Sequence, residues 1–201
     1  MRIVVAMELL VFLLLAFGVR SFLQWRATGS TGFVGIRRGA GALERVAGVT
    51  MVLALALAPL APWVGEPLWE GGHGFGAALG LVGIASTFVA QVQMGRSWRI
   101  GVDPSDHTEL VTTGTFALVR NPIFSAMLLV SLGLALAVPT PLALTLPPLL
   151  LFALELQVRL VEEPYLVRTH GAPYLDWASR TGRFIPGVGR LRVPSHVNRA
   201  R

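Results

Sequence analysis

Residues 123–163 read IFSAMLLVSLGLALAV, then PTP, then LALTLPPLLLFALELQV, then RLVEE. Two apolar runs separated by a Pro-Thr-Pro turn and closed by three charges describe a helical hairpin whose far end meets water. A membrane-spanning helix needs about 20 apolar residues, with a range of about 17–25. The two runs are short by that measure, so the tight turn makes them antiparallel neighbours. Charges so close to an apolar run are costly unless they are paired, wetted or used.

Moving outward, three more apolar blocks precede the hairpin, at residues 3–23, 46–64 and 75–92, and these meet the length requirement. With 53% hydrophobic and 14% charged residues among 201, the chain falls outside the range of ordinary soluble domains. It reads as an all-α integral membrane protein of about five spans. The first block follows Arg2 but lacks a small-residue cleavage site, so it reads as an uncleaved span. Pro59 and Pro62 bend or end the second span. Gly80, Gly83 and Ala85 offer small surfaces for close helix approach in the third. Glu8 stands nearly alone among the apolar side chains of the first, near enough to the N-terminus to reach the interface.

Charge placement orients the spans. The net charge of +6 comes from arginine, since there is no lysine. Arg26, Arg37, Arg38 and Arg45 lie between the first two blocks, and Arg96, Arg99 and Arg120 between the third and fourth. Arg168, Arg180, Arg183, Arg190, Arg192, Arg199 and Arg201 follow the fifth. With the N-terminus outside and the C-terminus inside, these segments all face the cytoplasm, as the positive-inside rule asks. The basic character therefore reflects topology and attraction to anionic lipid, not nucleic-acid binding. The bilayer is the expected partner.

The first three spans read as packing helices (residues 1–94). Polar residues that carry chemistry concentrate in residues 95–201, with Trp98 beside Arg99 also suiting an interfacial anchor. Helical spacing places Glu155, Arg159, Glu162 and Glu163 on one face, and Pro164 breaks or kinks the helix there. This helix end reads either as solvated interfacial charge or as half of a pocket. The second polar block, Leu110-Val111-Thr112-Thr113-Gly114-Thr115-Phe116, leads to Arg120-Asn121-Pro122. Gly114 permits a turn, Asn121 suits an N-cap and Pro122 the first helical turn. A helix N-terminus beside Arg120 suits a carboxylate or phosphate.

Other chemistries find little support. Without cysteine there is no thiolate, disulfide or cysteine metal site. His73, His107, His170 and His196 lack metal-ligand spacing, and no phosphate-loop or dinucleotide fingerprint appears.

The order of these blocks resembles the isoprenylcysteine carboxyl methyltransferase family and, more loosely, the phospholipid N-methyltransferases. The likeness runs from Gly95 to Pro186 and includes Arg159-Leu160-Val161-Glu162-Glu163, His170-Gly171-Ala172-Pro173-Tyr174 and Arg183-Phe184-Ile185-Pro186. It implies S-adenosylmethionine as cofactor, no metal, and a lipophilic or lipid-linked methyl acceptor. The cofactor-binding residues it implies, together with the residue chemistry, are Thr108, Glu109, Leu110, Val111, Gly114, Phe116, Arg120, Asn121, Pro122, Phe124, Glu163 and Tyr174. Arg159, Glu162 and Glu163 are the catalytic candidates. Asn121 stands where the family usually has histidine, Phe116 and Phe124 where it has tyrosine, and Ser125-Ala126 where glycine is common. The competing readings are a sterol-reductase-like NADPH oxidoreductase and a non-enzymatic lipid-binding or assembly protein.

Overall fold

A computed structural model of the protein describes residues 1–35, 40–101 and 109–192. Among these residues the secondary structure is helical, with two isolated parallel bridges, Phe33 to Ile100 and Val119 to Gly182. The helices are α1 (Arg2–Thr28), α2 (Ala42–Leu57), α3 (His73–Gln93), α4 (Pro122–Ala137), α5 (Pro141–His170) and α6 (Ala172–Arg180). Three of them, α1, α3 and α5, are long and apolar enough to cross a membrane. The second apolar block is shorter than its composition suggests. It ends as α-helix at Leu57, and Pro59 and Pro62 turn the chain into a 3-10 segment, Ala61–Trp63.

Apart from a bilayer, close helix approach holds the bundle together. Gly76, Gly80 and Gly83 lie buried on one face of α3 against α4. A Cβ on Gly83 would fall 2.7 Å from Val130 N, and one on Gly133 would fall 2.5 Å from Gly80 N. Such contact between backbones is available only to glycine. Ala85 does not join it; two residues beyond Gly83, it turns away and is exposed. Glu8 also differs from expectation, since its carboxylate faces inward against Gly80.

The helix ends sort into two sets. At one end Arg2 pairs with Glu66 at 2.7 Å, Leu68 N–H donates to Pro139 O, and Thr140 Oγ1 donates to Ala61 O at 2.7 Å. Thr140 Oγ1 also accepts from Ala143 N–H, capping α5 after the Pro-Thr-Pro turn. At the other end Arg20 donates to Gly95 O at 2.5 Å, and Gln24 donates to Arg96 O at 2.8 Å. Arg20 also lies over the Trp98 ring at 4.6 Å. Trp98 is 2% exposed, so it is part of the interior and not a surface anchor.

The largest departure concerns Pro164. It neither breaks α5 nor ends it, because the preceding turn, Val158–Glu162, widens to a π-helix. There Glu163 N–H donates to Val158 O, five residues back. The wide turn makes room for a proline that lacks its own N–H, and the helix continues to His170.

Candidate functional site

A cavity of about 190 Å³ lies at the arginine-rich end of the bundle. Its wall joins parts of the chain far apart in sequence. Ala16 and Phe17 of α1, Met51 and Leu55 of α2, and Ile123 and Met127 of α4 make an apolar side. Leu55 lies roughly 20 Å along α2 from Ala42, so this side reaches deep between the helices. Gln91, Ser97, Arg99, Glu109, Arg120, Asn121, Gln157 and Glu162 make a polar side nearer the helix ends. Phe116, Tyr165 and Trp177 add aromatic surface.

The polar side is held by a strap, residues 181–191, that wraps the start of α4. Arg120 N–H donates to Gly182 O at 2.8 Å and Asn121 N–H to Arg183 O at 3.1 Å, while Ser125 Oγ donates to Phe184 O at 2.7 Å. Asn121 occupies the N-cap position but makes no side-chain cap; its Nδ2 donates instead to Arg183 O. The first turn of α4 thus keeps its amides free of a side-chain cap beside the cavity.

Behind this wall, Glu163 is 8% exposed and sits between two guanidinium groups. Its Oε1 accepts from Arg120 at 2.6 Å and from Arg183 Nε at 2.9 Å, and its Oε2 accepts from Arg183 at 3.1 Å. Arg120 also donates to Thr181 O at 2.6 Å, to Ala178 O at 3.0 Å and to Gly189 O at 3.1 Å. Its Nε, which is buried, has no hydrogen-bond partner among the described residues. Arg183 reaches Glu155 at 3.5 Å, and Glu155 pairs with Arg159. For Arg183, burial works against the charge, but the Glu163 hydrogen bonds outweigh it and hold the guanidinium above its usual range. Tyr174 packs edge-on to Trp177, centroids 5.8 Å apart. Burial, then the nearby Glu163 carboxylate, pushes its phenol up to about 12.

The four charges do not share one role-bearing face. Glu155, Arg159 and Glu163 join an ion-pair chain completed by Arg183 and Arg120 from elsewhere, whereas Glu162 lines the cavity. The π-turn between them is the reason, since it shifts the register that a regular helix would give. Of the residues expected at a cofactor, Glu109, Leu110, Val111, Phe116, Arg120, Asn121, Pro122 and Phe124 line the cavity. Gly114 lies outside its wall, forming at φ +62° the turn that Gln93 braces by accepting from Thr115 N–H. Glu163, Tyr174 and Arg159 also lie outside the wall, and Thr108 falls outside the described residues.

Sequence reasoning passed over Ala16, Phe17, Met51, Leu55 and Gln91. Only Gln91 carried a signal, as an amide within an apolar helix. Among the described residues, no group of three or more His, Asp or Glu side chains is arranged to hold a metal.

A phospholipid methyltransferase family model matches residues 72–172, half of the chain. The matched region contains α3, α4, α5 and most of the polar wall. The chain is 31% identical over 120 residues to the nickel-cobalt-cadmium resistance protein NccN of Alcaligenes xylosoxydans xylosoxydans, covering 59% of this chain and 55% of that protein. It is 26% identical over 116 residues to protein-S-isoprenylcysteine O-methyltransferase B of Arabidopsis thaliana, covering 57% of this chain and 59% of that protein. The chain therefore matches between half and two thirds of the length of these curated relatives.

Proposed function

Because the chain belongs to the phospholipid methyltransferase family, we propose that it is a membrane-embedded methyltransferase using S-adenosylmethionine to methylate a lipophilic or lipid-linked acceptor. The observation that carries this is one cavity with a polar side at the helix ends and an apolar side deep in the bundle. A charged methyl donor from water and a hydrophobic acceptor from lipid have to meet in such a place. Five spans, with the N-terminus outside and the arginine-rich end in the cytoplasm, would open the polar side toward the donor.

The residues fit the cofactor. S-adenosylmethionine supplies an electrophilic methyl group when bound, and carries an ammonium, a sulfonium, a carboxylate and an adenine. Arg120, on the wall, and the uncapped first turn of α4 are groups suited to the carboxylate. Among the described residues, Glu162 and Glu109 are the carboxylates on the wall, suited to the cationic groups. Phe116, Leu110 and Trp177 provide apolar surface for the adenine, and Trp177 Nε1 has no hydrogen-bond partner among the described residues. We assign Glu162 also to take a proton from an acceptor, since it lines the cavity. Glu163 positions Arg120 and Arg183 and acts through them. Arg159 lies outside the wall, and we assign it to the acceptor on the lipid side. In this division residues 1–94 supply packing and the deep apolar wall, and residues 95–201 supply the chemistry.

The test is methyl-labelled S-adenosylmethionine incubated with the protein in nanodiscs and a lipid extract, followed by mass analysis. Label in a hydrophobic product is the expected result. Absence of both label transfer and S-adenosylmethionine binding would sink the proposal, and oxidation of NADPH by the same extract would replace it.

A further inference from the structure

Phe184-Ile185-Pro186-Gly187-Val188 forms the tip of the strap, and its own backbone fixes its shape. Val188 N–H donates to Ile185 O at 3.0 Å, with Pro186 and Gly187 between them and Gly187 at φ +78°. This is a type II turn, in which proline presets the first central residue and glycine supplies the positive φ of the second. Arg183 N–H closes the loop by donating to Val188 O at 2.7 Å. Gly182 packs beneath it, where any Cβ would run into Ile185 O. What this rigid turn shows outward is apolar. Phe184 packs inward against the core, whereas Ile185 is 61% and Val188 59% exposed. Leu118, 62% exposed, adjoins Val119, which bridges to Gly182 at the base of the turn.

A cation sits over the same turn. Arg190 is exposed, and its Nη2 would lie 3.4 Å from a Cβ on Gly187. Among the described residues it has neither an ion-pair nor a hydrogen-bond partner. Arg192 beside it is exposed as well. No acidic residue follows Asp176 in the chain, and Asp176 is paired with Arg180. The carboxylates that the strap meets through Arg183, Glu155 and Glu163, are already paired with Arg159 and Arg120. The turn therefore stays positive. Its level in the bundle is set by α4 and α5. Ser125, in the first turn of α4, donates to Phe184 O, and Arg183 reaches Glu155, one turn from the exposed apolar residues Leu151 and Phe152 of α5. That is where an apolar span gives way to charge.

We propose that residues 185–190 are a bilayer-docking turn, seating Ile185 and Val188 among the acyl chains of the leaflet at the arginine-rich end and setting Arg190 on the phosphate of an anionic lipid. A guanidinium beside two aliphatic side chains matches an anionic headgroup above hydrocarbon. A turn already closed by its own hydrogen bonds loses little entropy on seating. A second copy fits this surface less well, because a self-complementary contact would bring the same unpaired arginines together. The inference rests on the membrane part of the reading above and uses nothing about methyl transfer.

The absence of native cysteine permits a direct test. Ile185→Cys and Val188→Cys each carry a nitroxide in nanodiscs of phosphatidylcholine, with or without phosphatidylglycerol. Collisions are read with oxygen, which concentrates in lipid, and with a nickel chelate, which stays in water. Both side chains are exposed, so either label leaves the hydrogen bonds of the turn in place. With phosphatidylglycerol present, oxygen collisions should exceed chelate collisions several-fold at both positions. The ratio should fall in phosphatidylcholine alone, and Arg190→Gln should remove the difference between the two lipids. Chelate collisions dominating at either position overturn the proposal. Exclusion of both reagents means that protein covers the turn, and a ratio indifferent to phosphatidylglycerol means that no anionic lipid is recognised; each overturns it too. Leu81→Cys, exposed midway along α3, separates this inference from the reading beneath it. Lipid at Leu81 with water at the turn removes the docking turn alone, whereas water at both removes the membrane reading as well.

Discussion

Glu162 and Glu163 are adjacent, yet their surroundings assign them opposite tasks. Glu162 is on the cavity wall, while both oxygens of Glu163 are taken by Arg120 and Arg183. Glu162→Gln should weaken S-adenosylmethionine binding about tenfold, or about 1.4 kcal/mol, with little change in thermal stability. Glu163→Gln should instead destabilise the fold by about 3–5 kcal/mol, because it leaves two buried guanidinium groups without their carboxylate. Calorimetry for binding and thermal unfolding in detergent read the two effects separately; equal losses of affinity with unchanged stability would contradict the division. Arg159, half exposed and paired with Glu155, gives a third pattern. Arg159→Ala should leave S-adenosylmethionine affinity within about threefold and lower kcat/KM at least tenfold, a loss of about 1.4 kcal/mol of transition-state stabilisation. Turnover equal to wild type would make Arg159 a surface partner of Glu155 and nothing more.

Individual helices carry their own tests. The α3–α4 contact depends on backbones meeting without side chains between them. Gly133→Ala would place a Cβ 2.5 Å from Gly80 N, so the helices must separate, at a cost of about 1–3 kcal/mol in thermal or denaturant unfolding. Gly74, at the start of α3, has open space around its would-be Cβ, and Gly74→Ala should be neutral or slightly stabilising. A matching loss at both positions would mean that packing is not the cause. In α5 the π-turn before Pro164 aims Glu162 at the cavity. Pro164→Ala restores an N–H and lets the turn relax toward regular helix. S-adenosylmethionine affinity should fall several-fold while the unfolding temperature holds or rises, and unchanged affinity would disconnect the wide turn from the site.

For the molecule as a whole, the two sets of helix ends imply an orientation that can be read directly. With no native cysteine, single substitutions report without background. Glu70→Cys, on the segment before α3, should react with a membrane-impermeant maleimide in intact cells. Ser30→Cys and Arg190→Cys, at the arginine-rich end, should react only after permeabilisation. The reverse pattern would invert the topology and place the polar side of the cavity away from cytoplasmic S-adenosylmethionine.

Apolar runs and the arginines between them were enough to place helices, turns and the two kinds of helix end, because hydrophobic length and charge placement are local properties of the chain. The blocks around residues 109–124 and 159–163 could be marked as chemical for the same reason: polar groups stand out against apolar neighbours. Where those groups point was not local. Glu163 is held back from the cavity by Arg120 and Arg183, 43 and 20 residues away, and Gln91 is oriented by Ala16, 75 residues away. A regular helical period could not anticipate the π-turn that divides Glu162 from Glu163's ion pairs. Sequence alone thus determined which segments are apolar helices and where the polar blocks stand among them; tertiary structure decided which side chains face the cavity, because charge pairing and helix register are settled only when distant segments meet.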